Sequence, residues 1–156
     1  MPASQRNNVL SFFEARFGIP ASTFARYALL ERRKTYVLLP HSEHIRRLAS
    51  FQVHQVGLPL LRKIRQHLKP TTAGLQHFGH LATRHIVDLS PELCHALLYY
   101  RMLTWEASYQ PGYVILRSEG HILGCGLYTP GLLRSQIPRR YVQHQRLEPR
   151  DSLPGI

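Results

Sequence analysis

The apolar positions of the chain fall into short runs with two different periods. Val9, Phe13 and Phe17 recur four apart with Leu10 beside them, the spacing that turns one helix face toward a core. Residues 1 to 7 are polar, so the expected helix runs from about Asn8, a capping residue, to Phe17 and stops at Gly18. Ile19 and Pro20 then open a second short helix through Phe24 toward Tyr27. Thr35 to Leu39 is rich in strand formers and ends at Pro40. Ser42 caps a further helix with Glu43 in its first turn and Ile45, Leu48 and Ala49 along one side, and Phe51 to Val56 alternate as an imperfect strand. From Leu58 to Leu68 two readings stay open. Leu60, Leu61, Ile64 and Leu68 fit a helix, but Gly57 and Pro59 break its start, and the same residues fit a strand beside a bend. Thr71 or Thr72 starts a short helix toward Phe78.

The second half is better punctuated. Residues 83 to 87, TRHIV, predict a brief strand. Ser90, Pro91 and Glu92 then start a helix in which Leu93, Ala96, Leu97, Tyr100 and Leu103 share an apolar face, with Arg101 and Glu106 at its exit. After Pro111 and Gly112 the period becomes two: Tyr113, Ile115 and Arg117 face one way, Val114 and Leu116 the other. A tight turn at Ser118 to His121 leads to a second strand, Ile122 to Tyr128, where Gly124 and Gly126 invite a bend or bulge. The stretch after Pro130 predicts an ordered loop carrying Arg134, Arg139 and Arg140.

Composition sharpens this picture. A chain of 156 residues with 44% hydrophobic content can bury a core without disulfides or metal, as one domain or two closely packed lobes with a boundary near residues 81 to 90. The net charge of +11 comes from 20 Lys and Arg against 9 Asp and Glu, and only three of the basic residues are lysines. Arginine's planar fork of donors suits phosphates and base edges, so the excess points toward nucleic acid, although an acidic protein would satisfy it too. Three basic groups stand out: Arg32, Arg33 and Lys34; Arg62, Lys63 and Arg65; and Arg134, Arg139 and Arg140. Either early group also reads as a solvated face. In the third, Pro130, Gly131 and Pro138 restrict the chain and lower the ordering cost of binding. Tyr128 and Tyr141 bracket it, each a core residue or an exposed ring for stacking, and Arg117 points to the same lip or snorkels from the core.

Signals for catalysis are weak. Cys94 and Cys125 lie far apart with no cysteine at ligand spacing, which predicts two free thiols in a reducing, cytoplasmic compartment. His41, His44, His77, His80 and His144 show no metal-binding spacing, and Cys125 would need a base such as His121 beside it to act as a nucleophile. No phosphate-cradling glycine motif and no membrane-length apolar run occurs in the sequence.

Two stretches carry a family resemblance: ARFGIPASTFARYALLERRKTYVLLP, and GYVILRSEGHILGCGLYTPGLLRSQIPRRY toward the end. Together, from about residue 12 to residue 141, the chain resembles the C-terminal RNA-binding region of the RsmF-like branch of the NOL1/NOP2/Sun ribosomal RNA cytosine-5 methyltransferases. Where family members carry Trp between the two glycines and Lys after the second, this chain has Cys125 and Leu127, and the usual Lys-Asn and Pro-Lys-Gly-Leu-Arg become Arg134-Ser135 and Pro138 to Val142. The family's cofactor-binding domain and catalytic cysteines have no counterpart here. The resemblance implies an α+β protein: a small mixed N-terminal lobe over residues 8–82, then a PUA-like β pseudobarrel over residues 83–147. It further implies a non-catalytic, monomeric module without cofactor that binds structured RNA, above all ribosomal RNA, through Arg32, Arg33, Lys34, Arg62, Lys63, Arg65, Arg117, Tyr128, Arg134, Arg139 and Arg140. The alternative is a protein-interaction module that scaffolds a methyltransferase or a ribosome assembly factor.

Overall fold

The computed structural model describes residues 1–42 and 57–142. The helix and strand expected between Ser42 and Val56 fall outside the described residues, as do His44 and His144. Helix α1 (Ala3–Phe17) starts well before Asn8, and its N-cap is Pro2 with no side-chain cap. Tertiary contacts hold the polar first turns instead: Gln5 Nε2 donates to Glu31 Oε2 at 2.8 Å, and Arg6 Nη2 donates to the Phe24 carbonyl at 2.8 Å. Gly18 ends the helix in the left-handed region (φ 69°), with its N–H on the Glu14 carbonyl and the Ile19 N–H on that of Phe13. A Cβ at Gly18 would lie 2.0 Å from Thr83 Oγ1, so space and backbone both demand glycine.

A single 3-10 turn, Ala21–Phe24, stands where the second helix was expected, and Tyr27 already belongs to a strand. Strands β1 (Tyr27–Arg32), β2 (Thr35–Pro40), β3 (Leu58–Ile64) and β4 (His67–Pro70) form an antiparallel sheet in chain order. The ambiguous stretch is thus two strands: Leu60 and Leu61 are both fully buried, and the turn at Arg65 and Gln66 ends the helical option. Val9, Leu10, Phe13 and Phe17 of α1 meet Phe24, Leu29, Tyr36, Leu38 and Leu61 in the first core. Each such side chain contributes about 1.5–3 kcal/mol by leaving water.

Helix α2 (Thr72–Phe78), capped by Thr71 Oγ1 accepting from Gly74 N–H at 2.9 Å, leads through a 3-10 turn to the second sheet. Its elements are β5 (Ile86–Leu89), α3 (Pro91–Tyr100), β6 (Met102–Trp105), β7 (Gly112–Ser118), β8 (His121–Thr129), β9 (Gly131–Ser135) and the short α4 (Arg139–Val142). β5 starts later than expected because the N–H groups of Thr83 and Arg84 are both spent on the Phe17 carbonyl. The strand order is β5-β7-β8-β9-β6, with β5 parallel to β7 and the rest antiparallel, in a curled sheet left open between its edges β5 and β6. The molecule is a mixed α+β fold.

Alternation along β7 works as its period predicts. Val114 and Leu116 join Val87, Leu89, Leu97, Tyr128 and Leu133 in a second core, while Ile115, with Cys125 opposite it, completes the first. The expected bulge is present: the register passes from Leu116↔Gly124 to Arg117↔Ile122, leaving Leu123 without an opposite residue. Other expectations fail. Of the apolar face expected on α3 only Leu97 is buried: Leu93 is 40% and Tyr100 67% exposed, and Leu103 lies in β6, because the helix ends at Tyr100 with Arg101 as a left-handed C-cap. The stretch after Pro130 is not a loop but β9 followed by α4, since Gly131 to Ser135 finds partners on both sides, in β8 and β6.

Candidate nucleic-acid interface

The first two basic groups, separate in sequence, meet at one end of the four-stranded sheet. Arg33 (φ 45°) and Lys34 (φ 65°) form a two-residue turn between β1 and β2, both in the left-handed region that a type I′ hairpin requires. Arg65 (φ 56°) heads the matching turn between β3 and β4. Register places the turns side by side: Thr35 pairs with Arg62, and the Lys63 N–H donates to the Lys34 carbonyl at 2.7 Å.

Pairing also aligns a row across all four strands, Arg32↔Thr35↔Arg62↔Lys69. Directly opposite residues share a face at about 4.8 Å per strand, so Arg32, Arg62 and Lys69 project from one side of the sheet. Arg62 facing Lys69 is a like-charge cross-strand pair, an arrangement that costs stability unless an anion lies over it. Lys63 points to the other face. Its Nζ donates to Glu31 Oε1 at 2.6 Å and lies 5.1 Å from the centre of the Tyr36 ring. That hydrogen bond raises the Lys63 pKa and lowers that of Glu31, so this charge already has a partner inside the protein.

Lys69 carries the row toward the third group. Its Nζ donates to Gln136 Oε1 at 2.6 Å, and the Gln136 N–H is anchored on the Cys125 carbonyl at 2.9 Å. Just beyond, Arg139 and Arg140 stand exposed on α4, with the Arg140 guanidinium 5.2 Å from the centre of the Tyr141 ring. Arg134 is exposed on β9, directly opposite Met102. Arg101 ties this corner together by donating through Nη2 to the Ser135 and Ile137 carbonyls. Its pKa is lowered, first by burial and then by the neighbouring charge of Arg139.

Besides Lys63, two further residues expected on the track are placed elsewhere. Arg117 makes a bidentate pair with Asp88, Nε to Oδ1 at 2.6 Å and Nη2 to Oδ2 at 2.7 Å, at the β5 side of the second sheet. Tyr128 is 2% exposed; its hydroxyl donates to the Ala107 carbonyl at 2.8 Å and its ring meets Tyr109 edge-on. It shares the buried face of Val114 and Leu133 and offers no surface to a base.

The cysteines are buried or half-buried and free, and burial pushes the Cys125 thiol up to about 12, away from the thiolate a nucleophile needs. Among the described residues no three His, Cys, Asp or Glu side chains gather as metal ligands, and no helix is long and apolar enough to cross a membrane.

Sequence reasoning missed Lys69, an isolated lysine that only strand register brings into the row. It also missed the exposed Tyr99, Tyr100 and Met102 beside the third group. The Tyr-Tyr doublet at the end of α3 was a usable signal, because adjacent helical residues cannot both face one core.

No family model matches the chain. It is 24% identical over 149 residues to the Ribosomal RNA small subunit methyltransferase F of Aeromonas salmonicida (strain A449), a similarity covering 94% of this chain. The chain spans 30% of the length of that relative, so the likeness to the RsmF-like branch is distant and partial.

Proposed function

We propose that this chain is a non-catalytic module that binds structured RNA, with ribosomal RNA as its target. One observation carries the proposal: the row Arg32, Arg62 and Lys69, continued through Gln136 to the corner of Arg134, Arg139 and Arg140. Such a path suits a ribose-phosphate backbone, whose contacts fix position without reading sequence. The hairpin tip supports it, because Arg33 and Lys34 occupy left-handed positions where Asn and Gly would be less strained. The curled, open five-stranded sheet is consistent with a PUA-like lobe over residues 83–147 behind a mixed lobe over residues 8–82. The relative's name adds ribosomal RNA as the class to try first. In this reading Arg32, Arg33, Lys34, Arg62, Arg65, Arg134, Arg139 and Arg140 face the phosphates, and Lys69 joins them. The free thiols fit a reducing, cytoplasmic setting.

The test is a titration of the purified chain with folded fragments of small-subunit ribosomal RNA over a salt series. The expected logarithm of the association constant falls linearly with that of salt concentration, by up to about 0.9 per phosphate neutralised. No binding at low salt, or binding indifferent to salt, rejects the proposal.

A further inference from the structure

The corner that carries Arg134, Arg139 and Arg140 also carries the largest exposed aromatic surface among the described residues. Tyr99 is 53% exposed and Tyr100 67%, their rings edge to face with centroids 4.9 Å apart. His95 lies one helical turn earlier, its ring nearly parallel to that of Tyr99 (6°). Met102 continues the patch from β6, opposite Arg134, and Tyr141 is half exposed beneath the Arg140 guanidinium. Large rings left in water at a helix end contribute little to folding, since each forgoes the burial that Leu97 gains in the same helix. The charges that register and hydrogen bonding place beside them, those of Arg101, Arg134 and Arg139, are all positive. Arg101 fixes the Tyr100 end of α3 to the β9 end through the Ser135 and Ile137 carbonyls, and Arg139 stands within electrostatic reach of it. A ring at the edge of a cationic cluster suits a π-face attached to a phosphate, which is to say a nucleotide whose base has left its helix.

We propose that Tyr99 and Tyr100 form a stacking platform for an unpaired RNA base, with Arg134, Arg139 and Arg140 holding the phosphates on either side of it. The proposal rests on the RNA-binding reading above and adds a preference to it: helices interrupted by a bulged or looped-out nucleotide over continuous helices. The backbone beneath the platform is fixed before binding, because Tyr100 directly precedes Arg101, whose N–H closes the helix on the Leu97 carbonyl. No backbone ordering is then needed there when a base stacks.

Two RNA hairpins of equal length, one fully paired and one with a single bulged 2-aminopurine, distinguish the possibilities when titrated with wild type, Y99A/Y100A and Y99F/Y100F. The wild type is expected to prefer the bulged hairpin roughly ten-fold and to quench the 2-aminopurine emission. Y99A/Y100A should lose the preference and the quenching while binding the paired hairpin as before, and Y99F/Y100F should keep both. Circular dichroism checks that the variants stay folded. Equal wild-type affinity for the two hairpins, or a preference that survives Y99A/Y100A, overturns the platform and leaves the phosphate track standing. No wild-type binding to either hairpin overturns the RNA reading itself. Self-association lost in Y99A/Y100A with an unchanged RNA profile would assign the tyrosines to a protein contact and likewise reject the platform.

Discussion

Arg62 and Lys69 stand directly opposite one another on β3 and β4, two positive side chains on one face of a sheet with no acidic residue between them in the row. Such a pair opposes folding and favours an anion. Arg62→Gln should therefore leave the protein as stable or more stable, by up to about 1 kcal/mol, and yet weaken RNA binding. Thermal melting and a salt-series titration check the two effects on one sample, and the salt slope should shrink by about 1. A loss of stability together with unchanged RNA affinity would assign Arg62 to the fold instead.

Arg117 is the matched control. Its fork is closed on Asp88, so Arg117→Ala should leave the RNA salt slope unaltered. The pair does have a pH signature. The hydrogen bond from Arg117 holds the Asp88 carboxyl below its ordinary range, so the stabilisation is present above the unfolded carboxylate pKa of about 3.9 and fades as pH falls through the lower folded value. The difference in melting temperature between wild type and Arg117→Ala should be full at pH 6 and disappear toward pH 2.

Tyr128→Phe separates packing from recognition. It keeps the ring among Val114, Leu133 and Tyr109 but leaves the Ala107 carbonyl without its donor, which should cost about 1–1.5 kcal/mol by denaturant melting. RNA affinity should not change. A fall in affinity with stability intact would return Tyr128 to the binding surface.

Gly18→Ala should be markedly more destabilising than Gly120→Ala. Both glycines are left-handed (φ 69° and 79°), but an added Cβ meets Thr83 Oγ1 at 2.0 Å in the first and nothing within 4 Å in the second. About 1–2 kcal/mol is expected for Gly120→Ala from backbone conformation, and about 3 kcal/mol or more for Gly18→Ala, where the clash adds to it. Chemical denaturation of the two variants reads the difference directly.

His85 should titrate below the usual imidazole value. Burial disfavours its charged form, and this outweighs the hydrogen bond from Nδ1 to the Arg16 carbonyl; the charges of Arg16 and Arg84 push the same way. The unfolded chain then takes up a proton before the folded one does. Stability is thus complete above about pH 6.5 and declines as pH drops toward the folded value. An NMR titration midpoint above 6.5 for the His85 ring would contradict this.

What could be read from the residues follows from how local each signal is. Ser90-Pro91, Gly18 and the two-residue period of β7 act over a few residues, and each sits where its chemistry demands. β1 was obscured because YALLER lacks β-branched residues; its partner β2 holds it, not its propensity. β9 was lost for a related reason, since Gly131 reads as a breaker until strands on both sides engage it. The basic groups were legible as composition, but their junction was not. Register at Thr35↔Arg62 and the hydrogen bond from Lys69 to Gln136 join residues distant along the chain, and no window of sequence contains both ends. Tyr128 was ambiguous for the opposite reason: alternation places it on one of two faces, and only the packing of β8 says which is dry.

The strand order of the second sheet has a consequence for how the molecule is made. Its outer strands, β5 and β6, emerge during synthesis before the central strands β7 and β9 that hold them, and Ile115 and Cys125 of the central hairpin also seal the core beneath α1. Translation halted anywhere before β9 would leave β6 unpaired and Leu133 missing from the second core, and halted before β7 would open both cores to water. β9, only five residues long, therefore acts as a keystone, and a truncation that removes it should be far more damaging than its length suggests.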